Sequence, residues 1–327
     1  MPTILRPGPD LRERVWGGRR LGSSRGQPIG EAWVAGPSSR VVEGSDSGRT
    51  LAEIAARDGA AFVGRNAWAR TGDRFPLLVK LLDPADWLSV QVHPDDALAR
   101  RLEGPEALGK TEAWYVLDAA RYAELILGVR RGIGAAAVRA ALAEGSGALL
   151  PLLSRYHARA GDTIPIPAGT LHTVGPGFFL YEIQQPSDLT YRCDDWGRQA
   201  TPERPLHIGQ ALASVRPASR PRPRPAPEGA RVTLVAFEQF VLERLRVEPG
   251  HPAVLEPGGT SVHILTAVDG PVRLLPGGSG IALTDGTRVP PQPIVLGVLE
   301  TAVISAASSA CAIDAPTPTH VLLARVP

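Results

Sequence analysis

Lysine is nearly missing from this chain. Of its 35 basic residues only Lys80 and Lys110 are lysine, and the rest are arginine. A guanidinium replaces an ammonium wherever surface charge suffices, but it is not a compact point charge whose pKa shifts on burial. The two lysines that persist are therefore candidates for chemistry. Cysteine is as scarce: Cys193 and Cys311 form neither a CxxC pair nor a disulfide framework, which fits a reducing compartment. No apolar run approaches the roughly 18 residues of a membrane-spanning helix. The opening MPTILRPGPDLRERVWGG holds no apolar signal core. A cytoplasmic protein with no membrane partner is expected. A dominant charge is lacking too. The formal net charge is +2, and the arginines are scattered outside one Pro-rich segment, so no nucleic-acid footprint emerges.

What is present is β-sheet rhythm. At 327 residues and 43% hydrophobic content, the chain can fill two cores of ordinary size. FPLLVKLLD, WLSVQVH, EAWYVLD, YAELILGV and FFLYEIQQ, punctuated by Gly, Pro and Asp, predict strands of a sandwich or barrel. Helical spacing appears near residues 50–58, after Pro94, and over 133–156, as excursions from that framework. Residues 216–230, RPASRPRPRPAPEGA, alternate proline with arginine and suit neither a helix nor a central strand. The expected division is a first domain at 1–215, a Pro/Arg-rich linker at 216–230 and a smaller β domain at 231–327.

The stretch LSVQVHPDD places Gln91 and His93 on one strand face and Val90 and Val92 on the other. Either the valines face the core and the polar pair is solvated, or the polar pair faces inward for a chemical reason. Lys110 and Glu112 in GKTEAWYVL repeat the two-residue spacing, and His172 follows the hinged PAGT. Gln91, His93, Glu112 and His172 together offer two imidazoles, a carboxylate and an amide oxygen, a donor set suited to zinc or a neighbouring divalent transition metal. Singly, each residue is more often a hydrogen-bonded core or surface group than a ligand, so the convergence of three segments is the point to test. His157, His207, His251, His263 and His320 have no partner pattern and read as surface or structural histidines. Alternation turns Cys193 away from its neighbour Arg192. GIGAAAVRAAL reads as a packing helix, and the pair Asp194 and Asp195 as a turn cap.

RVWGG, GEAW, FPLLVKLLDPADWLSVQVHPDD, GKTEAWYVL, PAGTLHTVG and YEIQQPSDLTYRCDDWGR follow one another up to about residue 200. In order and spacing they resemble the type I phosphomannose isomerases of the cupin superfamily, in the short bacterial form. The resemblance implies a mainly β fold of two cupin-type jelly-roll barrels, with helical insertions in the N-terminal half and a metal-free accessory domain. It also implies an aldose-ketose isomerase with a small sugar phosphate as its partner, interconverting mannose 6-phosphate and fructose 6-phosphate through a cis-enediol with one zinc ion per chain. Carried over to this sequence, the metal ligands are His93, Glu112 and His172, with Gln91 as the fourth. Arg192 and Lys110 become catalytic, Lys80 lines the pocket, and Glu182 and Asp188 lie at its rim as substrate-binding or proton-relaying carboxylates. The general base is left open. A non-catalytic sugar-phosphate-binding cupin would lack a metal residue or Arg192, and none is missing; a cupin oxygenase would have a pocket poor in cations, against which Lys80, Lys110 and Arg192 stand, as does the long match.

Overall fold

The computed structural model describes residues 4–24, 26–145, 147–277, 281–282, 288–289 and 292–327. Contacts group the chain into two compact units that draw on it discontinuously. One holds Leu11–Ala32 and Val79–Ala226; the other holds the chain up to Asp10, Trp33–Leu78 and Pro227–Pro327. Both are antiparallel cupin-type sandwiches.

In the first unit, a five-stranded sheet runs Tyr191–Asp194, Val90–Val92, His172–Val174, Leu125–Val129 and Leu153–Tyr156 in spatial order. A larger sheet includes, as neighbours, Asp162–Ile166, Glu112–Ala119 and Phe178–Gln184. The core between them joins Trp114, Val116, Ile164 and Leu180 of the larger sheet to Leu125, Leu127 and Val174 of the smaller. The smaller sheet is buried on its other face as well. There Val90, Val92, Ile126, Tyr191 and Cys193 pack with Val138, Ala141 and Leu142 of the helix Ala135–Glu144 and with Ala211 of the helix Ile208–Ser214. The valines of QVH thus lie under helices, and alternation aims Gln91 between the sheets.

Local chemistry explains several boundaries. Asp95 accepts the Leu98 N–H at 2.8 Å and caps the helix Asp96–Glu103, so HPDD ends a strand at proline and starts a helix at aspartate. Thr50 and Glu53 form a reciprocal capping box for Leu51–Asp58. The helical reading of 133–156 needs correction. The helix stops at Glu144, with Gly145 at φ 104°, and after a short 3-10 turn over Leu150–Leu152 the chain becomes a strand, Leu153–Tyr156, paired with Leu125–Val129. Apolar residues at helical spacing there serve a sheet, because two glycines at positive φ and Pro151 interrupt the helix before cross-strand burial takes over.

The Pro/Arg-rich segment is tied down along the first unit. The Arg216 N–H donates to the Gly169 carbonyl at 2.8 Å, Ser219 shares a hydroxyl hydrogen bond of 2.6 Å with Thr170, and Arg220 Nε donates to the Val129 carbonyl at 3.1 Å. Arg224–Pro225 then pairs as an edge strand with Asp162 and Thr163, where a proline without an N–H is tolerated. The division between the units in this region falls at Ala226 and Pro227.

In the second unit a sheet containing Val241–Val247, Thr319–Arg325, His263–Ala267 and Thr301–Ile304 is joined at its edge by Ile4–Leu5, which pairs with Val303 and Ile304. Its apolar face packs with a four-stranded sheet through Leu245, Leu265, Leu274, Ile313 and Leu323. Helices reach this unit from Trp33–Leu78; after Pro227 the described residues contain none.

Between two of those helices Gly64 sits at φ 92°, and a Cβ there would meet the Thr260 carbonyl oxygen at 2.4 Å and Ser261 Cα at 2.5 Å. Gly64→Ala combines left-handed strain with a clash against backbone, and it is expected to lower stability by about 2–3 kcal/mol. A urea unfolding midpoint equal to wild type would show that Thr260 and Ser261 yield without cost.

Candidate metal centre and its cavity

Strand register gathers the polar residues. Gln91 stands opposite His172 on one side and Arg192 on the other, so the three share the inward face of the smaller sheet. On the larger sheet Glu112 pairs with Gln184 and Ile166, and Trp114 pairs with Glu182. His93, Glu112 and His172, all buried, bring one donor atom each within 4.8 Å of one another. Among the described residues this is the one group of three or more His, Cys, Asp or Glu side chains that can hold a metal ion.

Hydrogen bonds prepare the donors. His93 Nδ1 lies 2.8 Å from the Leu189 carbonyl oxygen, and His172 Nδ1 lies 2.9 Å from that of Thr170. Each Nδ1–H therefore donates outward, which leaves the Nε2 lone pair of the neutral ring facing the cluster. His93 Nε2 is 3.4 Å from Glu112 Oε2, and His172 Nε2 is 3.2 Å from Glu112 Oε1. Glu112 Oε1 is buried without a hydrogen-bond donor. Two imidazole nitrogens and a carboxylate gathered this closely in a buried place make a donor set that fits a divalent ion. Gln91 Nε2 approaches His172 Nε2 at 3.3 Å, and a half-turn of the amide puts Oε1 in the same place as a fourth donor, an oxygen.

Lys110 adds a charge at the cluster. Its Nζ donates to Glu112 Oε2 at 2.6 Å and lies 3.1 Å from His93 Nε2. Burial alone would raise the Glu112 carboxyl, but the Lys110 ammonium and then the two imidazoles overcome it and hold the group well below the ordinary carboxylate range. For His93, burial and then the Lys110 charge push the pKa down to about 3, so the ring is neutral at physiological pH.

A cavity of about 520 Å³ opens beside this cluster, and Lys80, Gln91, Lys110, Glu182, Asp188 and Arg192 all line it. Lys80 Nζ lies 3.2 Å from Glu182 Oε1 and 3.7 Å from Asp188 Oδ1. Burial would lower the Lys80 pKa; the charges of Glu182, Glu31 and Asp188 outweigh it and keep the ammonium protonated. Glu182 is fixed from the core side by the Trp114 Nε1–H at 2.8 Å. The candidate ligands, catalytic residues and substrate-binding residues of the sequence reading thus all lie at the cluster or on the cavity wall.

Sequence reasoning passed over others. Arg14 and Glu31 form a forked ion pair on the wall, 3.0 and 3.1 Å long; they lie in RVWGG and GEAW, yet an ion pair across 17 positions has no local signature. Arg204 and His207 also line the cavity, from a stretch without motif or periodicity. Cys193 packs away from it, and burial pushes its thiol pKa up, which leaves it inert. Asp194 Oδ1 accepts the Trp196 N–H at 2.7 Å, as a turn cap should.

Residues 11–123 match the family described as phosphomannose isomerase type I, catalytic domain. The chain is 39% identical over 213 residues to a mannose-6-phosphate isomerase of Streptococcus mutans, covering 62% of this chain and 64% of the relative. With a mannose-6-phosphate isomerase of Bacillus subtilis it shares 35% over 227 residues, 65% of this chain and 68% of that one. The matches span about two thirds of these curated relatives. The crystal structure of the mannose 6-phosphate isomerase from Bacillus subtilis superposes over 98% of this chain and 99% of its own, with a TM-score of 0.80 at 26% identity. A phosphomannose isomerase variant from Salmonella typhimurium shares the fold over 99% of each chain, with a TM-score of 0.72 at 17% identity.

Elemental analysis of the purified protein is expected to find about one divalent ion per chain and to find it lost in His172→Ala. Two ions per chain, or full retention in the variant, would contradict a centre built on this cluster.

Proposed function

The chain belongs to the type I phosphomannose isomerase family, and on that premise we propose that it interconverts mannose 6-phosphate and fructose 6-phosphate with one zinc ion held by His93, Glu112, His172 and Gln91. The observation that carries the reading is the meeting, in one cavity, of a nitrogen and oxygen donor cluster with Lys80, Lys110 and Arg192. Two imidazoles, a carboxylate and an amide oxygen suit zinc among the divalent ions. The two cysteines are unpaired, in keeping with a reducing compartment such as the cytoplasm. All the proposed site residues precede Arg216, which supports a functional division into a catalytic region at 1–215, a connecting segment at 216–230 and an accessory domain at 231–327.

The reaction moves a proton between C1 and C2 of the opened sugar through a cis-enediol. A divalent ion, when bound, polarises the oxygens on those carbons. The Lys110 ammonium stabilises the negative charge that develops on them from a fixed, buried position. Arg192, next to Gln91 in register, is a second fixed charge; burial and then the nearby Arg204 lower its pKa, but a guanidinium stays protonated. Lys80, clamped by Glu182, binds sugar hydroxyls, and Glu182 and Asp188 are the wall carboxylates able to relay a proton.

Incubation with mannose 6-phosphate, followed by NMR, should show fructose 6-phosphate forming until equilibrium; no conversion by zinc-loaded protein would remove the proposal. Lys110→Arg should be far from conservative, because the buried niche beside His93 and Glu112 holds a compact ammonium. A fall in kcat/KM of at least ~100-fold is expected, about 2.7 kcal/mol of transition-state stabilisation, with zinc content intact. Near-wild-type kinetics would mean that charge alone matters there.

A further inference from the structure

Five cations line the cavity: Arg14, Lys80, Lys110, Arg192 and Arg204. Four are already met by carboxylates: Arg14 by Glu31 at 3.0 Å, Lys80 by Glu182 at 3.2 Å, Lys110 by Glu112 at 2.6 Å, and Arg204 by Asp195 at 2.5 Å. Arg192 makes no ion pair among the described residues. Its Nη1 donates to the Pro205 carbonyl at 2.9 Å, and its buried Nε has no acceptor. Arg192 and Arg204 line the same cavity, the charge of Arg204 acts on Arg192, and the carboxylate beside them, Asp195, is bound by Arg204. Like charges kept together favour an anion from outside. The Lys80 end is the reverse case: with Glu182 and Asp188 both on that ammonium, a dianion there meets two carboxylates.

Register supplies a ruler. His172, Gln91 and Arg192 face one another across adjacent strands. His207 continues the row, since its N–H donates to the Arg192 carbonyl at 2.9 Å and its Nδ1 accepts the Arg192 N–H at 3.3 Å. With strands about 4.8 Å apart, Arg192 lies roughly two spacings from His172, and His207 roughly three. An opened six-carbon sugar with C1 and C2 at the metal cluster therefore carries its C6 substituent over Arg192 towards the segment that ends at His207. The accepting Nδ1 leaves Nε2–H as that ring's donor. Arg204 spends Nε and Nη2 on Asp195 at 2.5 and 2.7 Å, which fixes the plane of the guanidinium and leaves Nη1 to donate.

We propose that Arg204 and His207 seat the phosphate group of the substrate. The inference rests on the isomerase reading, in which the metal cluster holds C1 and C2. In steady-state kinetics with mannose 6-phosphate, Arg204→Gln and His207→Gln should each raise KM at least ~10-fold, the loss typical of a hydrogen bond to a charged group. Their kcat should stay within about 3-fold of wild type, since uniform binding is lost. Inorganic phosphate, used as a competitive inhibitor, should weaken by a similar factor. Arg204 also supports Asp195, so if Arg204→Gln melts early, His207→Gln, which leaves that ion pair alone, decides the matter. Unchanged KM and unchanged phosphate inhibition in folded His207→Gln, or a fall in kcat at constant KM, would overturn the seat. If wild type fails to isomerise at all, the functional reading fails instead, and calorimetric titration of wild type and His207→Gln with inorganic phosphate still tests the seat: equal affinities would dismiss it.

Discussion

A buried carboxylate sets the terms for the site-bearing unit. Glu112 lies between two sheets, buried from solvent, where an uncompensated charge costs several kcal/mol. Its neighbours are arranged around that demand: an ammonium at 2.6 Å, two imidazoles whose outward N–H groups are occupied, and an amide on the facing strand. The same arrangement that makes Glu112 tolerable gives the cluster donors that can hold a cation. Burial strengthens each electrostatic term there beyond its value at a surface.

This demand explains why the valine face of the strand that carries Gln91 is covered. Were Val90 and Val92 exposed, the strand that carries Gln91 would be the only layer between solvent and the donor cluster. The helices Ala135–Glu144 and Ile208–Ser214 close the outer side. They act on the site indirectly, by letting a three-residue strand turn an amide inward. The opening choice in LSVQVHPDD was between a solvated polar pair and one that faces inward; the valines lie under helices, and the polar face carries the buried His93 and the half-buried Gln91 at the cavity.

Legibility in the sequence followed the range of the interactions. Period-two spacing in QVH and KTE was visible because strand alternation is local, and the caps at Asp95 and the turn at Asp194 have short signatures. Lys80 and Lys110 stood out because arginine elsewhere removed the background. Arg204 and His207 did not, since their place depends on a chain segment returning to the edge of the Tyr191–Asp194 strand, and no local pattern encodes a return. The strand Leu153–Tyr156 was hidden by apolar residues that satisfy a helical period as well as a buried strand, which only the pairing with Leu125–Val129 separates. The gathering of Trp33–Leu78 with the C-terminal strands is likewise a non-local fact.

The imidazoles of His93 and His172 are oriented by the main-chain oxygens of Leu189 and Thr170. Any amino acid supplies a carbonyl, so tautomer control places no demand on which side chains occupy positions 170 and 189. What it demands is chain path: Thr170 is two residues ahead of its histidine, and Leu189 is delivered by the turn between Gln184 and Tyr191. Those segments can drift in composition under mutation while remaining intolerant of an inserted or deleted residue. The ligand geometry is inherited there through length, and not through identity.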